Sequence, residues 1–158
     1  QAGHRRIGFI NLDAGIPAAV GRREGYLHAL RERHIDADAA LEVVGHATAD
    51  GGFSAAENLL DLPLPPTAIF CANDRMAMGA YDAIKERGLR IPEDVAVIGF
   101  DNQELIASYL RPKLTTVALP FEQMGAMGVD LLARITAGES TVTNTVTVDC
   151  PLLERSSV

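Results

Sequence analysis

Three polar residues stand where a fold of alternating strands and helices would gather them: Arg22, Asn73 and Asp101. An aspartate accepts hydrogen bonds from two vicinal hydroxyls at once, and an arginine fork donates to oxygens in a fixed plane. An asparagine does either. Together they suit a polyhydroxylated ligand. The competing reading makes Asn73 and Asp101 turn residues that satisfy local backbone. Around Asn73 the segment is the most informative in the chain: an apolar run, Thr67 to Cys71, ends in Asn73-Asp74, and a helical pattern begins at once. Asp74 is expected to cap that helix by accepting backbone N–H bonds, which frees Asn73 to point into a crevice.

The elements that position these groups alternate regularly. Ile7–Asn11 reads as a short apolar strand, and Pro17 to about His34 as a helix with Val20, Tyr26, Leu27 and Leu30 inward. Leu41–Gly45 is a second strand. Gly51–Asp61 is a helix with Phe53, Ala56, Leu59 and Leu60 apolar. The connector Leu62-Pro63-Leu64-Pro65-Pro66 ends it, since proline cannot continue a helix. Thr67–Cys71 is strand three, Asp74–Arg87 helix three, closed by Gly88. Val95–Phe100 is a continuous apolar run of the kind buried on both faces of a parallel sheet. Repeated strand–helix units with right-handed crossovers imply an α/β fold with a doubly wound parallel sheet. Such sheets bind ligands at the carboxyl ends of their strands, near the topological switch point. That rule selects the loop Asn11 to Ile16, with Asp13 in it, together with Asn73 and Asp101.

Beyond Asp101 the regularity changes. Leu114–Leu119 is extended. Pro120 starts a helix, Phe121 to about Thr136, with Met124, Met127, Gly128, Leu131, Leu132 and Ile135 on one face. A methionine stripe at this spacing is usually packing rather than a cofactor site. Thr141–Asp149 alternates β-branched and polar residues, suggesting an edge strand, and Leu152-Leu153-Glu154-Arg155 adds another short one.

Composition narrows the function. With 158 residues and 47% apolar content the chain has enough material for one core. A net charge of -7 argues against holding nucleic acid by itself, because phosphate binding needs a basic stripe. No apolar stretch reaches the ~20 residues that cross a bilayer, and no signal peptide is visible. The chain lacks an initial Met and is read as a fragment. Cys71 and Cys150 fit a reduced, cytoplasmic pair. No nucleophile elbow, zinc-protease motif or dinucleotide fingerprint is present. His4, His28, His34 and His46 are scattered, with no ligand cluster for a metal. Gly51-Gly52 lacks a phosphate-loop lysine and reads as a helix start. The expectation is no enzyme activity, no cofactor and no metal.

Longer strings carry a resemblance. Gly3-His4-Arg5-Arg6-Ile7-Gly8-Phe9-Ile10, Gly21-Arg22-Arg23-Glu24-Gly25-Tyr26, Pro66 through Asp74, Gly88 through Asn102, Leu114-Thr115-Thr116-Val117 and Leu152 through Val158 together resemble the C-terminal part of the effector-binding domain of LacI/GalR transcription regulators. The resemblance covers almost the whole chain. It implies a periplasmic-binding-protein-like sensor in which two lobes close on a small ligand, often a sugar or nucleobase.

By that resemblance Arg22, Asn73 and Asp101 contact effector from this lobe, and Phe121 lines the cleft from the other. Asp13 and Ala47 complete the expected ligand set. Ala47, with His46 beside it, stands where the family often has an aromatic. Met76, Met78, Tyr81 and Tyr109 are expected at a homodimer surface. Residues 1–114 and 140–158 are assigned to the C-terminal lobe, and 115–139 to a crossover strand and an orphan helix of the N-terminal lobe. Most of that lobe, and the helix-turn-helix through which the family binds DNA, lie outside these residues. The orphan helix is expected to pack against another chain or rearrange. The implied function is effector sensing and dimerisation without a membrane partner; the alternative is a fragment of a sugar-binding transport protein.

Overall fold

The computed structural model describes residues 3–139 and 145–158. Six strands form one sheet: β1 (Ile7–Asn11), β2 (Glu42–Val44), β3 (Ala68–Cys71), β4 (Ala96–Asp101), β5 (Thr115–Ala118) and β6 (Leu152–Leu153). Their order is β2-β1-β3-β4-β5-β6. The first five are mutually parallel, and β6 closes the edge antiparallel to β5. Among the described residues five α-helices accompany them, α1 (Pro17–Glu32), α2 (Ala49–Leu60), α3 (Asp74–Glu86), α4 (Glu104–Ala107) and α5 (Phe121–Thr136), with a short 3-10 helix, Ala39–Leu41, before β2. Among the described residues no helix is long and apolar enough to cross a membrane.

Both faces of the central strands are covered, as their unbroken apolar runs require. On one face Phe9 stacks between Tyr26 of α1 at 4.9 Å and Phe70 of β3 at 5.0 Å. The Tyr26 hydroxyl donates to the Ile7 carbonyl at 2.8 Å, so the ring is buried without stranding its polar end. Val20, expected inward, is 51% exposed, and Ala19 is buried in its stead. On the other face Ile10, Leu59, Ile69, Met76 and Ile84 are fully buried under α2 and α3. Those two helices meet at backbone distance. A Cβ on Gly79 would lie 1.9 Å from the Ala49 carbonyl oxygen, and one on Gly52 2.3 Å from that of Met76. Only glycine permits this approach.

Several expectations change. Asn73, not Asp74, caps α3: its Oδ1 accepts from the Met76 N–H at 2.8 Å. An N-cap side chain reaches forward to the second or third helical N–H, and Asn73 is the last extended residue, so it holds that position. Met76 and Tyr81 have no exposed surface and belong to the core rather than to a dimer surface. Their helix is sandwiched between the sheet and α2, which buries most of its circumference. Residues 145–149 form no strand, and 140–144 of the expected edge strand lie outside the described residues. Thr115–Ala118, assigned from sequence to a crossover beyond this lobe, is bonded to β4 within the same sheet. Helix α5 forms as expected but has no buried residue.

Candidate functional site

In this strand order β1 has a neighbour on each side, and the chain leaves it in opposite directions. The switch point therefore lies between β1 and β3, and the crevice opens at the carboxyl ends. Asp13 follows β1, His46 and Ala47 follow β2, Asn73 follows β3, and Asp101 ends β4. Arg22 reaches in from the second turn of α1.

Arg22 is the hub. Nη1 donates to the Ala72 carbonyl at 2.7 Å, and Nη2 to Asp101 Oδ1 at 3.1 Å. Its guanidinium carbon lies 4.1 Å from the centroid of the Phe100 ring, a cation–π contact that fixes the plane of the fork. Both ionic side chains are largely buried, 15% and 17% exposed. Burial pushes the Asp101 carboxyl up from its ordinary range, and the Arg22 charge opposes that shift.

The Asp101 backbone is unusual. Its φ is 103° and that of Asn102 is 52°, a region that costs a non-glycine residue roughly 1–3 kcal/mol. The turn is held by side chains from other elements. Thr116 Oγ1 accepts from the Asn102 N–H at 3.4 Å, and Asp74 Oδ2 accepts from the Gln103 N–H at 2.6 Å. The Thr116 hydroxyl donates to Asp74 Oδ1 at 2.6 Å. Asp74 is fully buried, and burial pushes its carboxyl up to about 6 against the pull of these two donors. The carboxylate expected to cap a helix instead ties α3, β5 and the Asp101 turn together.

Other predicted residues divide. Asn73 is 7% exposed; its Oδ1 is spent on the cap, and Nδ2 donates to the Ala47 carbonyl at 3.4 Å. Asp13 Oδ1 lies 2.7 Å from His46 Nδ1, linking the β1 and β2 loops. His46 and Ala47 both have positive φ, 50° and 58°. Phe121 is 59% exposed at the start of α5, beside a shallow open depression lined also by Pro120, Glu122, Gln123 and Ala126. Tyr109 and its neighbour Leu105 are exposed, and Met78 is half-buried.

The sequence reading missed Phe100, Gln103 and Thr116. Gln103 Nε2 donates to Asp101 Oδ2 at 3.4 Å. The polar triplet Asp101-Asn102-Gln103 after a buried strand was the only signal for it. Among the described residues no group of His, Cys, Asp and Glu is placed to hold a metal ion. The arrangement can accept and donate hydrogen bonds to a polar ligand at the strand ends.

Known proteins resemble this chain in sequence and fold. The family model described as a periplasmic binding protein-like domain matches residues 1–158. The chain is 39% identical over its full length to the probable HTH-type transcriptional repressor ExuR of Bacillus subtilis, covering 47% of that protein. It is 40% identical over 99% of its length to the HTH-type transcriptional repressor CytR of Escherichia coli, covering 46% of it. The chain thus spans about half the length of the curated relatives it matches. Among solved structures, a transcriptional regulator CelR–cellobiose complex superposes with a TM-score of 0.92 at 35% identity, over 99% of this chain and 47% of that one. A sugar-binding LacI-family regulator from Escherichia coli in complex with phosphate gives a TM-score of 0.91 at 33% identity, over 99% of this chain and 56% of that one.

Proposed function

This chain belongs to the periplasmic binding protein-like family, among its LacI-type transcriptional regulators, and from that premise we propose that it is the effector-sensing part of a repressor. The observation that carries the reading is the Arg22–Asp101 pair at the sheet's switch point, fixed by the Ala72 carbonyl and the Phe100 ring. Its ligand is a small polyhydroxylated molecule, a sugar or a relative of one. The cellobiose held by the CelR neighbour supports that class. Asp101 accepts ligand hydroxyls, the remaining Arg22 donors bind ring or hydroxyl oxygens, and Asp13 and Ala47 border the crevice. Asn73 acts chiefly by holding the α3 start and the Ala47 loop.

The opposite wall comes from a first lobe encoded outside these residues. Helix α5 belongs with that lobe. Its exposed Phe121, Met124, Val129, Leu132 and Ile135 support this, because a soluble chain seldom leaves so many large apolar side chains uncovered. Phe121 then enters the cleft from the other side. Tyr109 and Met78 contribute to a homodimer surface. Ligand favours one lobe arrangement over another, and that preference changes how distant DNA-binding heads are spaced. DNA is contacted only through those heads, in the cytoplasm, and the module itself catalyses nothing.

The reading is tested on the intact regulator. Cellobiose and D-ribose are titrated calorimetrically, and operator release is followed by gel shift. Binding that is lost in Asp101→Ala, with dimerisation retained, supports it. A variant that releases operator as the unaltered regulator does would remove Asp101 from the site.

A further inference from the structure

The chain's last residues run back beside the site. Ser157 is fully buried between β4 and β5: its hydroxyl donates to the Val97 carbonyl at 2.6 Å and accepts from the Thr115 N–H at 2.8 Å. The Val97 N–H donates to the Ser157 carbonyl at 2.8 Å. These bonds fix the tail two residues past Arg155. The Arg155 N–H donates to Thr115 Oγ1 at 2.9 Å, so its Cα is fixed as well. From there the guanidinium makes two bonds. Nη1 donates to the Leu114 carbonyl at 2.7 Å, and Nη2 to the side-chain oxygen of Asn102 at 2.8 Å. Asn102 is the second of the two positive-φ residues that follow the Phe100 ring.

We propose that Arg155 is a positioning residue for the ligand site, holding the strained Asp101–Asn102 turn so that the Asp101 carboxylate keeps its angle to Arg22. The C-terminal tail is therefore part of the site, though it lies behind it. The inference rests on the reading of Asp101 as a ligand group. A turn with two unfavourable φ values persists only where surrounding contacts over-determine it. Thr116 and Asp74 hold its two N–H groups. Arg155 supplies the bond to the Asn102 side chain. Its planar fork spans the Leu114 carbonyl and Asn102 together, which a lysine cannot do.

The test uses this chain and needs no ligand. Amide exchange and the pH titration of the Asp101 carboxyl carbon are followed by NMR in the unaltered chain and in Arg155→Met, Arg155→Lys and Asn102→Gly. Asn102→Gly removes the acceptor without touching the bond to Leu114, and glycine tolerates the positive φ, so it serves where Arg155→Met folds poorly. The expected result is exchange at Asn102 and Gln103 faster by roughly tenfold, the equivalent of about one hydrogen bond, relative to Ile10 and Ile69. The Asp101 titration moves with it, and Arg155→Lys restores part of the protection. Unchanged exchange at 102 and 103 would overturn the proposal, as would equal acceleration at every amide. Failure of cellobiose or ribose to bind the intact regulator would count against the functional reading and leave this result standing.

Discussion

Arg22 on the first helix and Asp101 at the end of the fourth strand are 79 positions apart in sequence and 3.1 Å apart in space. Neither is a surface ion pair. Each is more than four-fifths buried, and each has a second partner that fixes its orientation. Removing one leaves the other charged and poorly solvated, so the pair acts as a unit.

The strain at Asp101 separates its structural role from its binding role. Asp101→Ala and Asp101→Gly both remove the carboxylate and should abolish ligand response. Glycine also relieves the φ of 103°. Asp101→Gly should therefore be the more stable of the two by about 1 kcal/mol, measured by urea denaturation. Equal stability would show that the turn stores no strain.

Asp74 gives a pH dependence. Its folded carboxyl titrates near 6, above the ordinary 3.8. Between those values the folded state binds more protons than the unfolded one, so this group's contribution falls as pH rises from about 4 to about 6 and is flat above. The size is on the order of 2–3 kcal/mol. The stability difference between the unaltered chain and Asp74→Asn, measured from pH 4 to 7, should shift against the unaltered chain by that amount. A difference independent of pH would remove Asp74 from the account.

Gly79→Ala should be severely destabilising. Its methyl would lie 1.9 Å from the Ala49 carbonyl oxygen, which is backbone and cannot swing aside. Forcing α2 from α3 costs about 1–3 kcal/mol or more, read as a lowered denaturation midpoint. Gly125→Ala on α5, where nothing lies within 4 Å, is the control and should not destabilise the chain.

Helix α5 predicts an asymmetry. Leu132 is 62% exposed and Ile135 55%. Replacing both by lysine should change stability by no more than about 0.5 kcal/mol each, as at other surface sites. The same change should reduce self-association of this chain in sedimentation velocity. A large loss of monomer stability would mean that the helix packs inward.

The alternation of strands and helices, the parallel sheet and helix α5 were legible in the sequence, and so was the placement of Arg22, Asn73 and Asp101 at strand ends or on a helix near them. Those features are written locally, in apolar runs of strand length, helical periodicity, proline and glycine stops, and polar residues at strand ends. Family strings added the sensor reading. Which polar group does what depended on the fold. Asn73 caps and Asp74 is buried, because burial depends on β5 and the 101–103 turn arriving from later in the chain. Met76 and Tyr81 became core because α2 packs across α3 at backbone distance, through glycines whose partners are about 25 residues away or more. Periodicity marks the apolar side of a helix, but it cannot say how many neighbours will cover the helix. The positive φ of Asp101 and its support by Thr116 and Asp74 are likewise non-local, since the sequence names the residues and only the fold brings their hydrogen-bond partners within 3.4 Å.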